Sequence, residues 1–225
     1  MIRLWILVAL VLCTVTTLSA EPAKLSLKSE KPDPPEGMAE ALKPEFDAEA
    51  FAISDGNIKL MTFWFRKEIP AKASAEQIKN GLTYREIPEG TLVGVVKLEK
   101  AFVDFRKQEI PAGTYTLRIA VQPDTGDHKD TAPNQDFVLL SPAADDKSVE
   151  PLELKDLVRR SIKVTGSDHP AVMLLFPQFG KDAEAKIASK ENGVTCLQLK
   201  RPVKADDAKS SLGFAIVVAG FSKTR

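Results

Sequence analysis

The residues best suited to chemistry in this sequence lie in one polar loop, 123–136. Its oxygen and nitrogen ligands are the side chains of Asp124, Asp127, His128, Asp130, Asn134 and Asp136. Calcium takes six to eight oxygen ligands and is often bound by loops of this composition, although the spacing here is not that of an EF-hand. The loop therefore predicts a candidate calcium site formed by Asp124, Asp127, His128, Asp130 and Asp136.

Two other interpretations of this loop stay open. Asp, Asn, Gly, Thr and Pro form ordinary loops because their side chains satisfy the backbone of turns, and the composition of 123–136 favours this structural interpretation. The same side chains would also suit direct contact with a substrate. The structural interpretation requires no cofactor, whereas the metal-site interpretation has calcium as its candidate.

No motif in the chain names a reaction. His128 and His169 are the only histidines, so a Ser-His-Asp or Cys-His arrangement would have to use one of them. The sequence has no Gly-x-Ser-x-Gly elbow, no zinc-type spacing of His or Cys, and no glycine-rich phosphate loop. Pairs of carboxylates for glycoside hydrolysis are not identifiable from sequence, because their separation is unknown.

The remaining reactive or aromatic side chains fit a core better than a site. Cys196 alternates with apolar neighbours and is expected to be buried. Trp64 and Tyr115 lie on apolar strand faces and are also expected in the core, whereas Tyr84 is freer to be exposed.

Composition and charge narrow the class of protein. The chain has 225 residues, with 31 basic and 31 acidic side chains. Proteins that bind nucleic acid usually carry a basic excess, because phosphate contacts dominate their affinity. This balance predicts no nucleic-acid partner.

The first twenty residues have the order of a secretory signal peptide. Arg3 is followed by an apolar run and then by small residues up to Ala20, and the run is too short to span a bilayer. We expect cleavage near Ala20 and a secreted or periplasmic mature chain, with no transmembrane segment. Lipid attachment at Cys13 is disfavoured because Leu12, rather than a small residue, precedes it.

The rest of the chain divides into a tether and one domain. Residues 21–45 are rich in Pro, Lys and Glu and predict a flexible tether, and residues 46–225 predict a single β-sandwich domain. Turn signals at 55–57 and 192–193 each join two strand-like segments into a hairpin. The clearest strand has Tyr115, Leu117 and Ile119 on one face and Thr116 and Arg118 on the other.

One segment breaks the β pattern. Leu154, Leu157, Val158 and Ile162 recur at helical spacing, and Gly166 suits the end of a helix. About nine or ten strands without regular helix–strand alternation argue against a parallel α/β fold. The predicted fold is mainly β, an antiparallel β-sandwich or jelly roll with one short amphipathic helix.

Four stretches resemble a group of exported bacterial proteins of uncharacterised function. They are residues 63–70 (Phe-Trp-Phe-Arg-Lys-Glu-Ile-Pro), 110–118 (Ile-Pro-Ala-Gly-Thr-Tyr-Thr-Leu-Arg), 122–128 (Gln-Pro-Asp-Thr-Gly-Asp-His) and 136–143 (Asp-Phe-Val-Leu-Leu-Ser-Pro-Ala). The resemblance runs from about residue 51 to 176 and implies an exported β-rich domain. It implies no activity and no binding residues.

The sequence thus favours a non-enzymatic binding or structural module of the cell envelope or periplasm. An envelope glycan, a protein surface or a metal ion would each suit as its ligand. The alternative is a hydrolase that acts on envelope or extracellular polymer through carboxylates or a loop-bound metal.

Overall fold

The computed structural model describes residues 25–123, 132–178, 184–190, 193–206 and 208–220. Its elements, in chain order, are β1 (Leu25–Glu30), β2 (Phe46–Asp55), β3 (Ile58–Arg66), β4 (Ile69–Ala71), α1 (Ala75–Asn80), β5 (Leu92–Leu98), β6 (Phe102–Val103), β7 (Glu109–Ile110), β8 (Gly113–Val121), β9 (Asp136–Pro142), α2 (Leu154–Thr165), β10 (Val172–Leu174), β11 (Lys186–Ser189), β12 (Thr195–Ala205) and β13 (Ala208–Ala219). Within these ranges, no helix has the length and apolar character needed to cross a membrane.

Two antiparallel sheets make up most of the structure. The larger has seven strands in the order β1-β2-β3-β5-β8-β9-β10, each antiparallel to the next, so it is a meander. The smaller has the order β11-β12-β13, and β4 pairs in parallel with the far end of β12. Strands β6 and β7 form a separate ribbon. The predicted mainly β fold, a sandwich of antiparallel sheets, is confirmed.

The two sheets are joined along one side. Directly after β10, Leu175 forms a bridge with Ile216 of β13, and the amide of Phe176 donates to the Ala215 carbonyl at 2.9 Å. The main core lies between the sheets. Its largest fully buried members include Phe63, Phe65, Leu117, Ile119 and Phe214.

Both predicted hairpins are present. Strands β2 and β3 pair from Asp55 and Ile58 outward, and β11 and β12 pair from Ser189 and Thr195 outward. The amphipathic helix is also confirmed as α2. The structure adds a second helix, the six-residue α1, whose N-terminus carries a capping box formed by Ser74 and Gln77.

The segment predicted as a flexible tether differs from that prediction. Within 21–45, Leu25–Glu30 is the edge strand β1, whose alternate residues pack against the core. Met38 and Leu42 are buried with Trp64 against the outer face of β3 and β5. This proline-rich segment therefore forms a packed cap over Trp64, because its few apolar side chains are buried against the sheet. Residues 21–24 are outside the described ranges.

The outer face of β8 carries a buried arginine that the alternation pattern had placed on the polar side. Arg118 donates from Nε to Asp146 Oδ2 at 2.7 Å and from Nη2 to Oδ1 at 2.8 Å. Nη1 donates to the carbonyls of Gly90, at 2.6 Å, and Glu150, at 2.9 Å, and Nη2 also donates to the Ser148 carbonyl. All five N–H donors of the guanidinium are thus used.

Thr116 belongs to the same network. Its hydroxyl donates to Asp146 Oδ2 at 2.7 Å, and Thr116, Arg118 and Asp146 are all fully buried. The second face of β8 is therefore buried at Thr116 and Arg118, although both side chains are polar. The polar side chains on that face bind the segment 143–153, which covers them.

Substitution of Leu117 tests the core between the sheets. Leu117 is fully buried in the main core, so Leu117→Ala should leave a cavity and lower the free energy of unfolding by about 2–5 kcal/mol. Ile58→Ala is the control, because Ile58 is 50% exposed and should cost less than about 0.5 kcal/mol. If urea melts showed that both variants lose the same free energy of unfolding, the placement of Leu117 in the core would be contradicted.

A glycine pair tests the docking of the covering segment. Gly90 and Gly81 both have positive φ, +78° and +99°, but a Cβ at Gly90 would lie 1.9 Å from the Leu152 carbonyl oxygen, whereas one at Gly81 would meet nothing within 4 Å. We expect Gly81→Ala to cost about 1–3 kcal/mol from backbone strain alone. Gly90→Ala should cost about 1–3 kcal/mol more, because the backbone must also shift. Equal costs in urea melts would show that Leu152 is not held against Gly90.

Candidate functional site

A groove lies between α2 and the outer face of the larger sheet. Ala120, Phe137, Leu139 and Val172 line its sheet side, and Leu154 and Val158 line its helix side. Its volume is about 270 Å³. Because these side chains are apolar, the floor offers contact and exclusion of water rather than hydrogen bonds. We refer to this feature as the α2 groove.

Helix α2 forms one wall because its apolar stripe faces the sheet. Leu157 and Ser161 are buried, and the Ser161 hydroxyl donates to the Ala171 carbonyl at 3.0 Å. The helix ends at Gly166, which adopts the left-handed conformation and donates its amide to the Ile162 carbonyl at 3.1 Å. Near the middle of the helix, Arg160 donates to the Asp145 carbonyl at 2.7 Å and so ties α2 to the segment that covers β8.

The opposite wall is the turn that joins β6 to β7. Phe105 stacks on Phe137 with ring centroids 5.4 Å apart and ring planes inclined by 30°. Asp104 holds the turn, because its Oδ1 accepts the amides of Arg106 and Gln108, each at 2.9 Å. Burial raises the pKa of the Asp104 carboxyl, and these hydrogen bonds partly oppose that rise.

Gln108 ties the two rims of the groove together. Its Nε2 donates to Asp104 Oδ2 at 2.9 Å and to the Pro170 carbonyl at 3.1 Å, and its Oε1 accepts from the Ser167 hydroxyl at 2.6 Å. The turn after α2 is held in the same way, since the Thr165 hydroxyl donates to the His169 carbonyl at 2.7 Å. The rims are therefore set by hydrogen bonds before any ligand arrives.

Three side chains with charge or proton-transfer capacity stand at the mouth of the α2 groove. Arg106, Asp168 and His169 are exposed and line the cavity. A ligand with its apolar part on the floor would meet a cation, a carboxylate and an imidazole at its other end. The site is thus amphipathic, with a dry floor and a charged rim.

The predicted metal site falls mostly outside this description. Asp124, Asp127, His128 and Asp130 lie outside the described residues. Asp136 begins β9, where its Oδ1 lies 3.1 Å from Arg85 Nε, and burial raises the pKa of its carboxyl although Arg85 opposes the rise. Among the described residues, no three His, Cys, Asp or Glu side chains converge as a metal site requires. A calcium site in 124–136 stays a prediction.

Four other side chains singled out by the sequence are buried. Trp64, Tyr115 and Cys196 lie in the core as expected, and burial raises the pKa of the Cys196 thiol to about 11, which suits an unreactive residue. Tyr84, which the sequence left freer to be exposed, is also buried. Its hydroxyl donates to the Phe176 carbonyl at 2.9 Å and accepts the Ala215 amide at 3.0 Å. Burial accordingly raises the pKa of Tyr84.

The sequence analysis did not identify the turn at 104–108. An Asp followed by Gln four residues later fits a side chain that caps its own turn, and this was the available signal. The partners of the turn in the α2 groove, such as Phe137 and Pro170, are too distant in sequence to be read from that pattern.

Comparison of the chain with models of protein families, with curated proteins and with solved structures gave no significant match.

Proposed function

We propose that this protein is an exported binding module of the cell envelope or periplasm, and that the α2 groove holds the apolar part of a small amphipathic ligand. The observation that carries the proposal is the apolar floor of the groove beneath a charged rim. Ligand sites combine such a floor with a few polar groups that fix orientation. Export is supported by the charge, apolar run and small residues of 1–20.

The size of the groove supports partial enclosure of the ligand. Its volume of about 270 Å³ lies just below the roughly 300–1,000 Å³ of most small-molecule sites. One ring system or a short acyl chain would fit on the floor, with a polar end left at the mouth. An anionic end would be attracted by Arg106, and Asp168 would favour a ligand that also carries a hydrogen-bond donor.

The same geometry gives less support to the alternative, a hydrolase. Such an enzyme needs a nucleophile beside its base or two carboxylates across the scissile bond. At the described rim of the groove, Asp168 and His169 are both exposed, and the nearby Ser167 hydroxyl donates to Gln108. These contacts position a turn rather than activate a nucleophile.

Binding of 8-anilino-1-naphthalenesulfonate, an aromatic anion, tests the site. Val158→Trp places a large side chain in the groove and should lower the affinity for the dye about tenfold or more. The affinity is measured from the fluorescence of the dye. Ile58→Trp is the matched control, because it adds the same side chain at an exposed position in the β2–β3 hairpin and should leave the affinity unchanged. Both variants should melt cooperatively, which separates loss of the site from loss of the fold.

Equal binding by the wild type and Val158→Trp would contradict the proposal. If the wild type hydrolyses a p-nitrophenyl ester and His169→Ala does not, the hydrolase is favoured instead. An exposed imidazole without catalytic function should not affect the rate of hydrolysis.

A further inference from the structure

A second cavity lies between the larger and the smaller sheet. It has a volume of about 470 Å³ and lies between β1 and β2 on one side and β12 on the other. Its polar lining is formed by Ser29, Glu49, Glu184, Lys200 and Arg201, and Leu27, Phe51 and Leu199 supply apolar surface. We refer to it as the edge cleft. It shares no lining residue with the α2 groove.

The edge cleft contains an arginine on the interior face of its strand. In β12, Leu199 and Val203 are buried in the main core, and Arg201 stands between them at the same alternation. Arg201 is only 6% exposed, and its guanidinium carbon lies 5.7 Å from the centroid of the Phe65 ring. A charged side chain at such a position costs desolvation energy, so its hydrogen bonds decide what it can do.

The hydrogen bonds of Arg201 are incomplete. Nη2 donates to Asp47 Oδ2 and, at 3.1 Å, to the Arg66 carbonyl, whereas Nε is buried without a partner among the described residues. Buried donors are nearly always satisfied, and leaving one unpaired is costly. Arg118 is the contrast within the same protein, because every N–H of its guanidinium is bonded. Arg201 thus brings an incompletely bonded guanidinium to the wall of the cleft, where the group can donate to an acceptor from outside the chain.

A distortion of β2 brings the carboxylates to this point. Phe46 pairs with Arg66 and Ala50 pairs with Trp64, so β2 has extra residues between these pairs, and Asp47 and Glu49 are among them. Asp47 reaches Arg201, and Glu49 accepts the Ser29 hydroxyl at 2.5 Å at the mouth of the cleft.

The charges restrict the class of ligand. Lys200 and Arg201 are cationic, whereas Asp47, Glu49 and Glu184 are anionic, so the surroundings have a small negative excess. A simple anion would be repelled by the carboxylates, and a simple cation would offer no acceptor to the Arg201 guanidinium. The ligand must accept from Arg201 and Lys200, donate to Glu49 and Glu184, and carry no net negative charge.

Sugar hydroxyls meet all of these requirements, because each hydroxyl is both a donor and an acceptor. We propose that the edge cleft binds a neutral saccharide, with one hydroxyl oxygen on the guanidinium of Arg201 and other hydroxyls on Glu49, Glu184 and Lys200. The C–H face of the sugar ring would pack on the apolar surface of Leu27 and Leu199. This site is separate from the α2 groove and does not depend on the function proposed for it.

NMR titrations test this proposal. Amide chemical shifts are recorded while maltotriose, cellotriose or triacetylchitotriose is added. At least one of the three should shift resonances of β1, β2 and β12 in a saturable way. Arg201→Lys keeps the charge but removes the guanidinium, and Glu49→Gln removes an exposed negative charge, so each should weaken binding about tenfold or more.

Three controls make the result decisive. Lys200→Ala should weaken binding, whereas Lys204→Ala, on the same strand but outside the cleft, should not. Val158→Trp, which fills the α2 groove, should also leave saccharide binding intact. Glycine serves as a zwitterionic probe that carries both a donor and an acceptor.

Four outcomes would overturn the proposal: no saturable shift with any of the saccharides, shifts that avoid the edge cleft, affinities that Glu49→Gln leaves unchanged, or binding of glycine in place of the sugars. Glu49→Gln alters an exposed side chain, so this test holds even if Arg201→Lys fails to fold.

Discussion

The segment 143–153 and helix α2 form an outer layer on the larger sheet, and this layer depends on the buried ion pair between Arg118 and Asp146. Both side chains are fully buried, and the carboxylate accepts two parallel hydrogen bonds from the guanidinium. Such a pair recovers the cost of desolvation only when its remaining donors and acceptors are also satisfied. Here the remaining N–H groups bond three backbone carbonyls, of Gly90, Ser148 and Glu150, and the Thr116 hydroxyl bonds the carboxylate.

The pair fixes more than its own surroundings. Ser148 and Glu150 belong to the segment that leads into α2, and the Leu152 amide donates to Gly90 at 3.2 Å. Where this segment lies on the sheet therefore determines where α2 begins. Since Leu154 and Val158 form one wall of the α2 groove, the width of that groove follows from a polar contact outside it. The edge cleft shows the opposite case, since the buried guanidinium of Arg201 has one N–H without a partner among the described residues.

The sequence correctly predicted those elements that short-range patterns of residues determine. Alternation at Leu117 and Ile119 identified the inner face of β8, turn residues identified both hairpins, and helical spacing identified α2. These signals lie within a few residues of the structure that they describe.

Prediction from sequence patterns failed for side chains whose hydrogen-bond partners are distant in sequence. Arg118 was placed on a polar face, because nothing near it shows that Asp146, 28 positions away, would cover it. Tyr84 bonds groups 92 and 131 positions away. Arg201 offered a usable signal, since it interrupts the apolar alternation of Leu199 and Val203. The groove and the cleft each combine residues from several strands, so neither was predictable from one segment.

A double-mutant cycle on Arg118 and Asp146 tests most directly whether this pair holds the outer layer. We expect Arg118→Met and Asp146→Leu to cost about 3–5 kcal/mol each in urea melts, because each leaves an uncompensated buried charge. The double variant replaces both charges with apolar groups and should cost less than the sum by about 2–3 kcal/mol. If either single variant fails to fold, its rescue by the second substitution would show the same coupling. Additive losses would contradict the account, because they would mean that the two side chains contribute independently.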